Sequence, residues 1–167
     1  AHALRLINHN ILNYPGTTCT TRDPNYRVIY SPLAPDIVVT QEMTSQAGCT
    51  EFLGSMNVMN PGEWAGVPFV DGNDTDSGVF YKPAKLQFIN QWSFYPSPTN
   101  LRLVHLYRFR PVGYTTNAAD FIVIAVHLKA SSGSTNVAAR AVEATGIRDS
   151  LASYPAGTHM MIMGDFN

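Results

Sequence analysis

Several short apolar runs along this chain end in a polar side chain, and runs of this kind predict buried strands. They span residues 4–10, 37–42, 121–127 and 160–167. The third run is almost wholly apolar as far as residue 128, which predicts burial on both faces of its sheet. The last run ends in Gly164-Asp165-Phe166-Asn167. The pattern therefore predicts four strands that each bring a polar group to a strand end.

Three segments carry helix signals. Asp23-Pro24 joins a capping residue to a proline suited to the first helical position, which predicts a helix from there to residue 33. Residues 27–30 taken alone could equally be extended. Thr44 or Ser45 is expected to cap a second helix that runs to about residue 56. A third helix is predicted over residues 135–153, with Glu143 outside its apolar stripe. That stripe comprises Val137, Ala141, Ala144, Ile147 and Leu151.

The middle of the chain predicts a run of strands. Residues 78–81, 86–95 and 101–110 are expected to form consecutive antiparallel strands, and residues 67–70 a further short one. In the last long strand Arg108 and Arg110 fall on one face, and Tyr107 and Phe109 on the other. Helices would cover both outer faces, so the element order predicts a layered α/β sandwich. No repeat or linker divides the sequence, and we expect one domain over residues 1–167.

Composition narrows the class of protein. A chain of 167 residues can bury a proper core, and a net charge of -1 provides no overall basic field for nucleic acid. Only 14% of residues are charged, and there are three lysines, which favours a secreted or periplasmic protein. No apolar run is long enough for a membrane span. No signal peptide precedes the first strand, so the signal of a secreted protein is expected to have been removed.

Two features leave alternatives open. Cys19 and Cys49 could form one disulfide in an oxidising compartment, or remain reduced and buried. The acidic segment 71–76 resembles half of a calcium site, but its sixth position is Asp76 where the EF-hand loop has glycine. Its twelfth position is Lys82 where that loop has glutamate. We therefore interpret the segment as a solvated turn.

The polar groups at the strand ends are the candidate chemistry. They are Asn10, Glu42, His127, Asp165 and Asn167. Each has a structural alternative: a turn former, a helix cap, a salt-bridge partner or a satisfied core histidine. Together they suit a hard cation such as Mg²⁺, with Mn²⁺ or Ca²⁺ as substitutes, bound near a phosphate. The sequence contains no zinc-type Cys/His spacing and no GxxxxGK phosphate loop.

Four motifs resemble the endonuclease/exonuclease/phosphatase superfamily, the deoxyribonuclease I-like proteins. They are the segments LRLINHNI at 4–11, PDIVVTQE at 35–42, VHLK at 126–129 and GDFN at 164–167. Their order matches, and so does the strand SGVFYK at 77–82. The resemblance covers essentially the whole chain. It implies an α/β fold of four layers, in which two mixed β-sheets are flanked by helices, and a metal-dependent phosphoesterase site.

The resemblance also implies a role for each residue. Glu42 would be the main Mg²⁺ ligand with Asn10 beside it, and His127 would contact a phosphate oxygen. Asp165 would orient the attacking water or its base. Asn167 would fix Asp165 or the phosphate. A basic phosphate contact is expected from the strand before that of His127, and we assign it to Arg108.

Family members continue past the Asp-x-Asn motif with further strands that supply another Asp and the His of the general base. We therefore expect this chain to be the N-terminal portion of the domain, truncated after the motif and inactive alone. The expected activity is that of an extracellular nuclease in which water attacks phosphorus with metal assistance. A sphingomyelinase-like phospholipid phosphodiesterase or another phosphoesterase is the alternative. A non-catalytic binding module on this fold, or an unrelated secreted α/β domain, are further alternatives.

Overall fold

The computed structural model describes residues 3–167, which fold into eight strands, three α-helices and a short 3-10 helix. The strands are β1 (Leu6–Tyr14), β2 (Ile37–Met43), β3 (Ala65–Gly66), β4 (Asp76–Tyr81), β5 (Leu86–Phe94), β6 (Val104–Pro111), β7 (Phe121–His127) and β8 (His159–Asp165). The helices are α1 (Cys19–Leu33), α2 (Gln46–Met56) and α3 (Ser134–Leu151), and the 3-10 helix is Asn117–Ala119. None of the helices in this part of the chain has both the length and the apolar character needed to cross a membrane.

The strands form two mixed sheets. The first has the order β1-β2-β4-β3, in which β1 and β2 are parallel and the other pairs antiparallel. The second has the order β5-β6-β7-β8, in which only β7 and β8 are parallel. The first sheet therefore begins with a parallel pair, β1 and β2, and the second sheet ends with one, β7 and β8. Because parallel neighbours end at the same edge, the polar ends of β1 and β2 lie together, as do those of β7 and β8.

Three apolar clusters separate four layers. Ile37 and Val39 of the first sheet pack with Phe109 and Val123 of the second, which joins the sheets face to face. A second cluster lies between the first sheet and the helices α1 and α2, and a third lies between the second sheet and α3. Alternation along β6 and β7 divides their side chains between two of these clusters, as the apolar run at 121–128 predicts. The predicted four-layer α/β sandwich is confirmed.

The helix signals give both ends of α2 but only the end of α1. Ser45 caps α2, since its side chain accepts a hydrogen bond from the backbone N–H of Gly48 at 3.1 Å, and the helix ends at Met56 as predicted. The predicted start of α1 is wrong, because the helix begins at Cys19 and contains Pro24 in its second turn. The Asp23 side chain does not cap the helix but accepts a hydrogen bond from the Tyr14 hydroxyl at 2.9 Å.

The predicted stripe of α3 is only partly correct. Ile147 is buried and Leu151 packs against the same cluster, whereas Val137 is exposed and Glu143, predicted to lie outside the stripe, is buried. The Glu143 carboxylate accepts a hydrogen bond of 2.8 Å from the backbone N–H of Lys129, which satisfies the buried charge. The helix approaches so closely that a Cβ at Gly146 would overlap the Pro96 carbonyl. Contact with the β5–β6 loop and with residue 129, which an isolated helix pattern does not contain, sets the buried face.

Three strand predictions need correction. Residues 67–70 form no strand, and β3 lies at Ala65–Gly66 instead. The predicted antiparallel meander breaks after β4, because β4 pairs with β2 and β3 in the first sheet while β5 begins the second. The strand β8 is not fully buried, since it pairs only with β7 among the described strands and leaves Met161 47% exposed.

The acidic segment is exposed at Asp71, Asn73 and Asp74, as expected of a solvated turn, but its last residue, Asp76, is the first residue of β4 and is buried. The Asp76 carboxylate is buried and lies 3.0 Å from Nε2 of the buried His105 in the other sheet, and it accepts the backbone N–H of Gly72 at 2.6 Å. The Nδ1 atom of that imidazole lies 3.0 Å from the Ser93 hydroxyl. These hydrogen bonds join β4 to β5 and β6, and they offset the cost of burying the Asp76 carboxylate.

Candidate active site

Asn10, at the end of the regular part of β1, joins two carboxylates. Its Nδ2 atom donates to Glu42 Oε1 and to Asp165 Oδ2, both at 2.9 Å. Glu42 is the next-to-last residue of β2 in the first sheet, and Asp165 ends β8 in the second. The Asn10 amide has two N–H groups, so one side chain satisfies one oxygen of each carboxylate. Three of the predicted residues therefore meet where the two sheets come together.

The backbone around Glu42 is held in an unusual conformation. Glu42 has φ of 64°, a left-handed value that non-glycine residues adopt at a cost of about 1–3 kcal/mol. Its Oε2 atom accepts the backbone N–H of Asn13 at 2.9 Å, while Oε1 is bound by Asn10. The strand pairing is irregular here in both β1–β2 and β2–β4. Backbone strain of this kind is typical of functional positions, and here it occurs at a residue whose side chain is held by two donors.

Arg22 of α1 supports this region from behind. Its guanidinium donates to the carbonyl oxygens of Ile11 at 2.6 Å, Leu12 at 2.8 Å and Pro15 at 3.0 Å. Leu12 and Asn13 both have positive φ, and the three bonds hold the turn that presents the Asn13 N–H to the Glu42 carboxylate. Sequence reasoning missed Arg22, because nothing local to residue 22 shows which carbonyl groups it will meet.

His127 lies beside the two carboxylates. Its Nε2 atom is 3.9 Å from Asp165 Oδ2, which is too long for a hydrogen bond, and its buried Nδ1 atom has no partner among residues 3–167. Burial lowers the pKa of His127, and the nearby Arg102 charge lowers it further, against the opposing effect of Asp165 and Glu42. The imidazole is therefore neutral at pH 7 and keeps one N–H for an acceptor.

Asp165 is positioned by main-chain contacts as well as by Asn10. Its Oδ1 atom accepts the backbone N–H of Asn167 at 3.0 Å, and the Asn167 side chain donates to the Leu128 carbonyl at 3.1 Å. The hydrogen bond from Asn10 lowers the pKa of Asp165 although burial opposes it, and the backbone bond from Asn167 acts in the same direction as Asn10. Asn167 thus fixes the Asp165 carboxylate through its backbone, while its side chain ties the segment to β7.

Gly164 is required by the close approach of β8 to β7. A Cβ at this position would overlap the carbonyl oxygen of Val126. Only a residue without a side chain fits there, so the glycine of the Gly-Asp-Phe-Asn segment brings Asp165 into register opposite His127.

The structure does not bring Arg108 to this site. Arg108 is opposite Ile122 in the β6–β7 pairing, five residues before His127, or about 17 Å along the strand. Its Nε atom instead pairs with Asp120 Oδ2 at 2.8 Å. Our assignment failed because β6 and β7 are antiparallel, so the start of β6, and not its end, lies near His127.

Arg102 is the basic residue near the site. Its Nη1 atom donates to the Leu128 carbonyl at 3.0 Å, and its Nη2 atom pairs with Asp74 Oδ2 at 2.9 Å. The same carbonyl accepts the Asn167 amide. The antiparallel pairing of the predicted strands could have identified Arg102, since it places residue 102 beside residue 128.

The oxygen atoms of the site fit a hard divalent cation. Each Glu42 oxygen accepts one hydrogen bond and retains a lone pair, and the ionised Asp165 carboxylate is tied to Glu42 through one amide. In the described part of the chain no three His, Cys, Asp or Glu residues are arranged as a metal cage. Mg²⁺ uses one or two carboxylates and takes its other ligands from water and substrate. The donor set therefore suits Mg²⁺ better than a cation that needs an all-protein cage.

Several solved structures share this architecture. The chain is similar to D. rerio TDP2 complexed with single-strand DNA product, with a TM-score of 0.73, 13% identity, and coverage of 98% of this chain and 60% of that chain. It is similar to an endonuclease/exonuclease/phosphatase family protein from Bacteroides thetaiotaomicron, with a TM-score of 0.68, 20% identity, and coverage of 98% and 63%. A mannosyl-6-phosphatase from Bacteroides thetaiotaomicron VPI-5482 gives a TM-score of 0.69, 20% identity, and coverage of 99% and 66%.

These likenesses show the fold. The chain spans about 60–66% of the length of these three structures. No protein-family model and no curated protein matches the sequence. The predicted fold class is confirmed: the chain has the deoxyribonuclease I-like fold of the endonuclease/exonuclease/phosphatase superfamily over nearly its whole length.

Proposed function

We propose that this chain, which has the endonuclease/exonuclease/phosphatase fold, forms the metal-binding side of a Mg²⁺-dependent phosphodiester hydrolase. One observation carries the proposal: Asn10 joins the Glu42 and Asp165 carboxylates, which belong to different sheets, beside a neutral His127. Placing two like charges close together costs free energy. Residues with a purely structural role would not need to bring two carboxylates together at a strained backbone position.

Each residue has a distinct role in the proposal. Glu42, with Asn10 beside it, would hold the Mg²⁺. When bound, the cation would polarise a phosphoryl oxygen and offset the charge that develops there. Asp165 is an ionised carboxylate with a lowered pKa, so it accepts a hydrogen bond from the attacking water and orients that water. The neutral His127 donates its N–H to a phosphate oxygen without adding charge, and Asn167 keeps Asp165 in place.

The general base is not among these five residues. By the resemblance, it would come from a segment that follows the Asp-x-Asn motif, and the similar solved structures are longer than this chain. We propose that hydrolysis requires such a base in addition to the five residues.

The favoured substrate is DNA or RNA, cleaved outside the cell or in the periplasm. One structure of this fold holds a single-stranded DNA product. The second candidate is a smaller or lipid-linked phosphate ester, since another structure of this fold is a mannosyl-6-phosphatase. The low lysine content supports a location outside the cell or in the periplasm. Cell fractionation with an antibody to the protein would test this location.

The test is a substrate panel applied to the full-length protein with and without Mg²⁺. It contains single-stranded DNA, RNA, sphingomyelin, a sugar phosphate and a model phosphodiester. We expect Mg²⁺-dependent cleavage of a nucleic acid, and a fall of at least about 100-fold in Glu42→Gln. The matched control is Glu51→Gln, which changes an exposed glutamate of α2. Unchanged cleavage in Glu42→Gln would disprove the ligand assignment, and preferential cleavage of another class would replace the substrate.

A further inference from the structure

A cavity of about 390 Å³ lies at the end of the second sheet opposite to the candidate active site. The side chains that matter are Trp92, Arg108, Asn117, Tyr154 and His159. The cavity is at the start of β8, and the strand runs six residues, or about 20 Å, from His159 to Asp165. It is therefore a separate site, and none of the five active-site residues lines it.

Arg108 and Asp120 both line the cavity, and Asp120 is also paired with Arg110, which lies outside the lining. Arg108 and Arg110 share one carboxylate, because Asp120 pairs with Arg108 Nε at 2.8 Å and with Arg110 Nε at 2.6 Å. Arg110 donates hydrogen bonds to both Asp120 oxygens, from Nε to Oδ1 and from Nη2 to Oδ2. The two Nη atoms of Arg108 have no acceptor among the described residues, and that side chain is 35% exposed. A guanidinium held at Nε presents its remaining N–H groups in a geometry that matches a phosphate.

One wall of the cavity is aromatic. The rings of Trp92 and Tyr154 are stacked with centroids 6.3 Å apart and an angle of 26°, and Trp92 Nε1 donates to the Tyr154 hydroxyl at 2.8 Å. Both side chains are only partly buried. The hydrogen bond fixes the indole plane, so the wall is a rigid flat surface on which a ring could stack without loss of side-chain freedom.

The remaining polar groups can form hydrogen bonds with the edge of a bound aromatic ring. Nδ1 of His159 lies 3.3 Å from the Asp120 carbonyl, which can only accept, so the ring carries a hydrogen on Nδ1 and presents Nε2. The exposed Asn117 brings an amide that both donates and accepts. The cavity thus combines a guanidinium, a flat aromatic wall and mixed hydrogen-bonding groups, in a volume within the range of small-ligand sites.

We propose that this cavity binds the nucleoside monophosphate unit, with the phosphate on Arg108 and the base against Trp92. The unit could be a free nucleotide or part of a single strand. The site is independent of the proposed hydrolysis, because it requires neither Mg²⁺ nor any active-site residue. Arg108 would then contact a phosphate, as its sequence position suggests, but in a different site.

The experiment is an NMR titration of the full-length protein with adenosine 5′-monophosphate, in the absence of Mg²⁺. The chain has two tryptophans, and the indole N–H signal of Trp92 should move while that of Trp64, which lies in the α1–α2 cluster, stays fixed. We expect saturation with a Kd of about 1 mM or tighter. Arg108→Gln should weaken binding by at least about tenfold, and Arg108→Lys should fall between. Arg148→Gln, which removes an exposed arginine of α3, is the matched control.

Three further ligands separate the contributions of the base and the phosphate and identify the form of the nucleotide. Adenosine and inorganic phosphate should each bind more weakly than the nucleotide. A short oligonucleotide distinguishes binding of a free nucleotide from binding of a strand. Equal affinity of the nucleotide for Arg108→Gln and for the unmodified protein would overturn the proposal. So would a Trp92 signal that does not move at about 10 mM nucleotide, or inorganic phosphate binding as tightly as the nucleotide. Thermal unfolding of each variant verifies that it is folded.

Discussion

The amide of Asn10 lies 2.9 Å from the Asp165 carboxylate, although 155 residues separate them in the sequence. The two side chains come from different sheets, so this hydrogen bond forms only when the sandwich has closed. It also lowers the pKa of Asp165, against the opposing effect of burial. The sheet interface therefore assembles the candidate site.

Asn10→Ala should raise the pKa of Asp165 towards the ordinary aspartate value of about 3.9. The reason is that the Asn10 amide is the largest of the influences that lower this pKa. Carboxylate chemical shifts followed by NMR across acidic pH would measure the change. Asn8→Ala, on the same strand but without contact to Asp165, is the control. An unchanged Asp165 pKa in Asn10→Ala would contradict the observed geometry.

Gly164→Ala should destabilise the fold by about 1–3 kcal/mol or displace β8 from β7. A methyl group at this position meets a backbone carbonyl, which cannot rotate away as a side chain would. Thermal unfolding would record the loss. In contrast, Gly54→Ala on α2 meets nothing within 4 Å and should be neutral or gain about 0.5–1 kcal/mol. Equal stability of the two variants would show that β8 does not approach β7 so closely.

Asp76→Ala should lower the free energy of unfolding by about 2–4 kcal/mol. The change removes the acceptor of two buried groups, the imidazole of His105 and the backbone N–H of Gly72. Urea unfolding would give the value, and an unchanged slope would show that the unfolded state is unaffected. Asp71→Ala, an exposed position in the same segment, should cost almost nothing. Similar losses in both variants would mean that the connection between the sheets contributes little.

Asp120→Asn should destabilise the protein by about 1–2 kcal/mol at pH 7, because both arginine partners keep only part of their hydrogen bonding. Bonding to Arg110 lowers the pKa of Asp120 in the folded state. A folded pKa below the unfolded value means that this stabilisation is complete above about pH 4 and is lost as pH falls through the folded value. The difference in melting temperature between the two proteins should therefore shrink in acid. A difference that stays constant to low pH would contradict the ion pair.

Local patterns predicted most of the elements and selected Asn10, Glu42 and Asp165, which the structure brings together. The apolar run before His127 and the cap at Ser45 are local signals, and both correspond to observed elements. The strand-end positions of Asn10, Glu42 and Asp165 were sufficient to select them, because strand ends can be recognised without knowledge of the partner strands. The start of α1 could not be found in this way, since the interaction that holds Asp23 comes from Tyr14 on β1.

The sequence alone determined the strand-end candidates Asn10, Glu42, His127 and Asp165, because residue type and strand ends are local properties. Only the tertiary structure decided which of these residues meet. The direction of β6 relative to β7 moved Arg108 to the far end of the sheet and placed Arg102 near His127. Packing between the sheets buried Asp76 against His105, and the β5–β6 loop and Lys129 set the face of α3. Strand direction and inter-sheet contacts join residues far apart in sequence, and no periodicity within a segment specifies them.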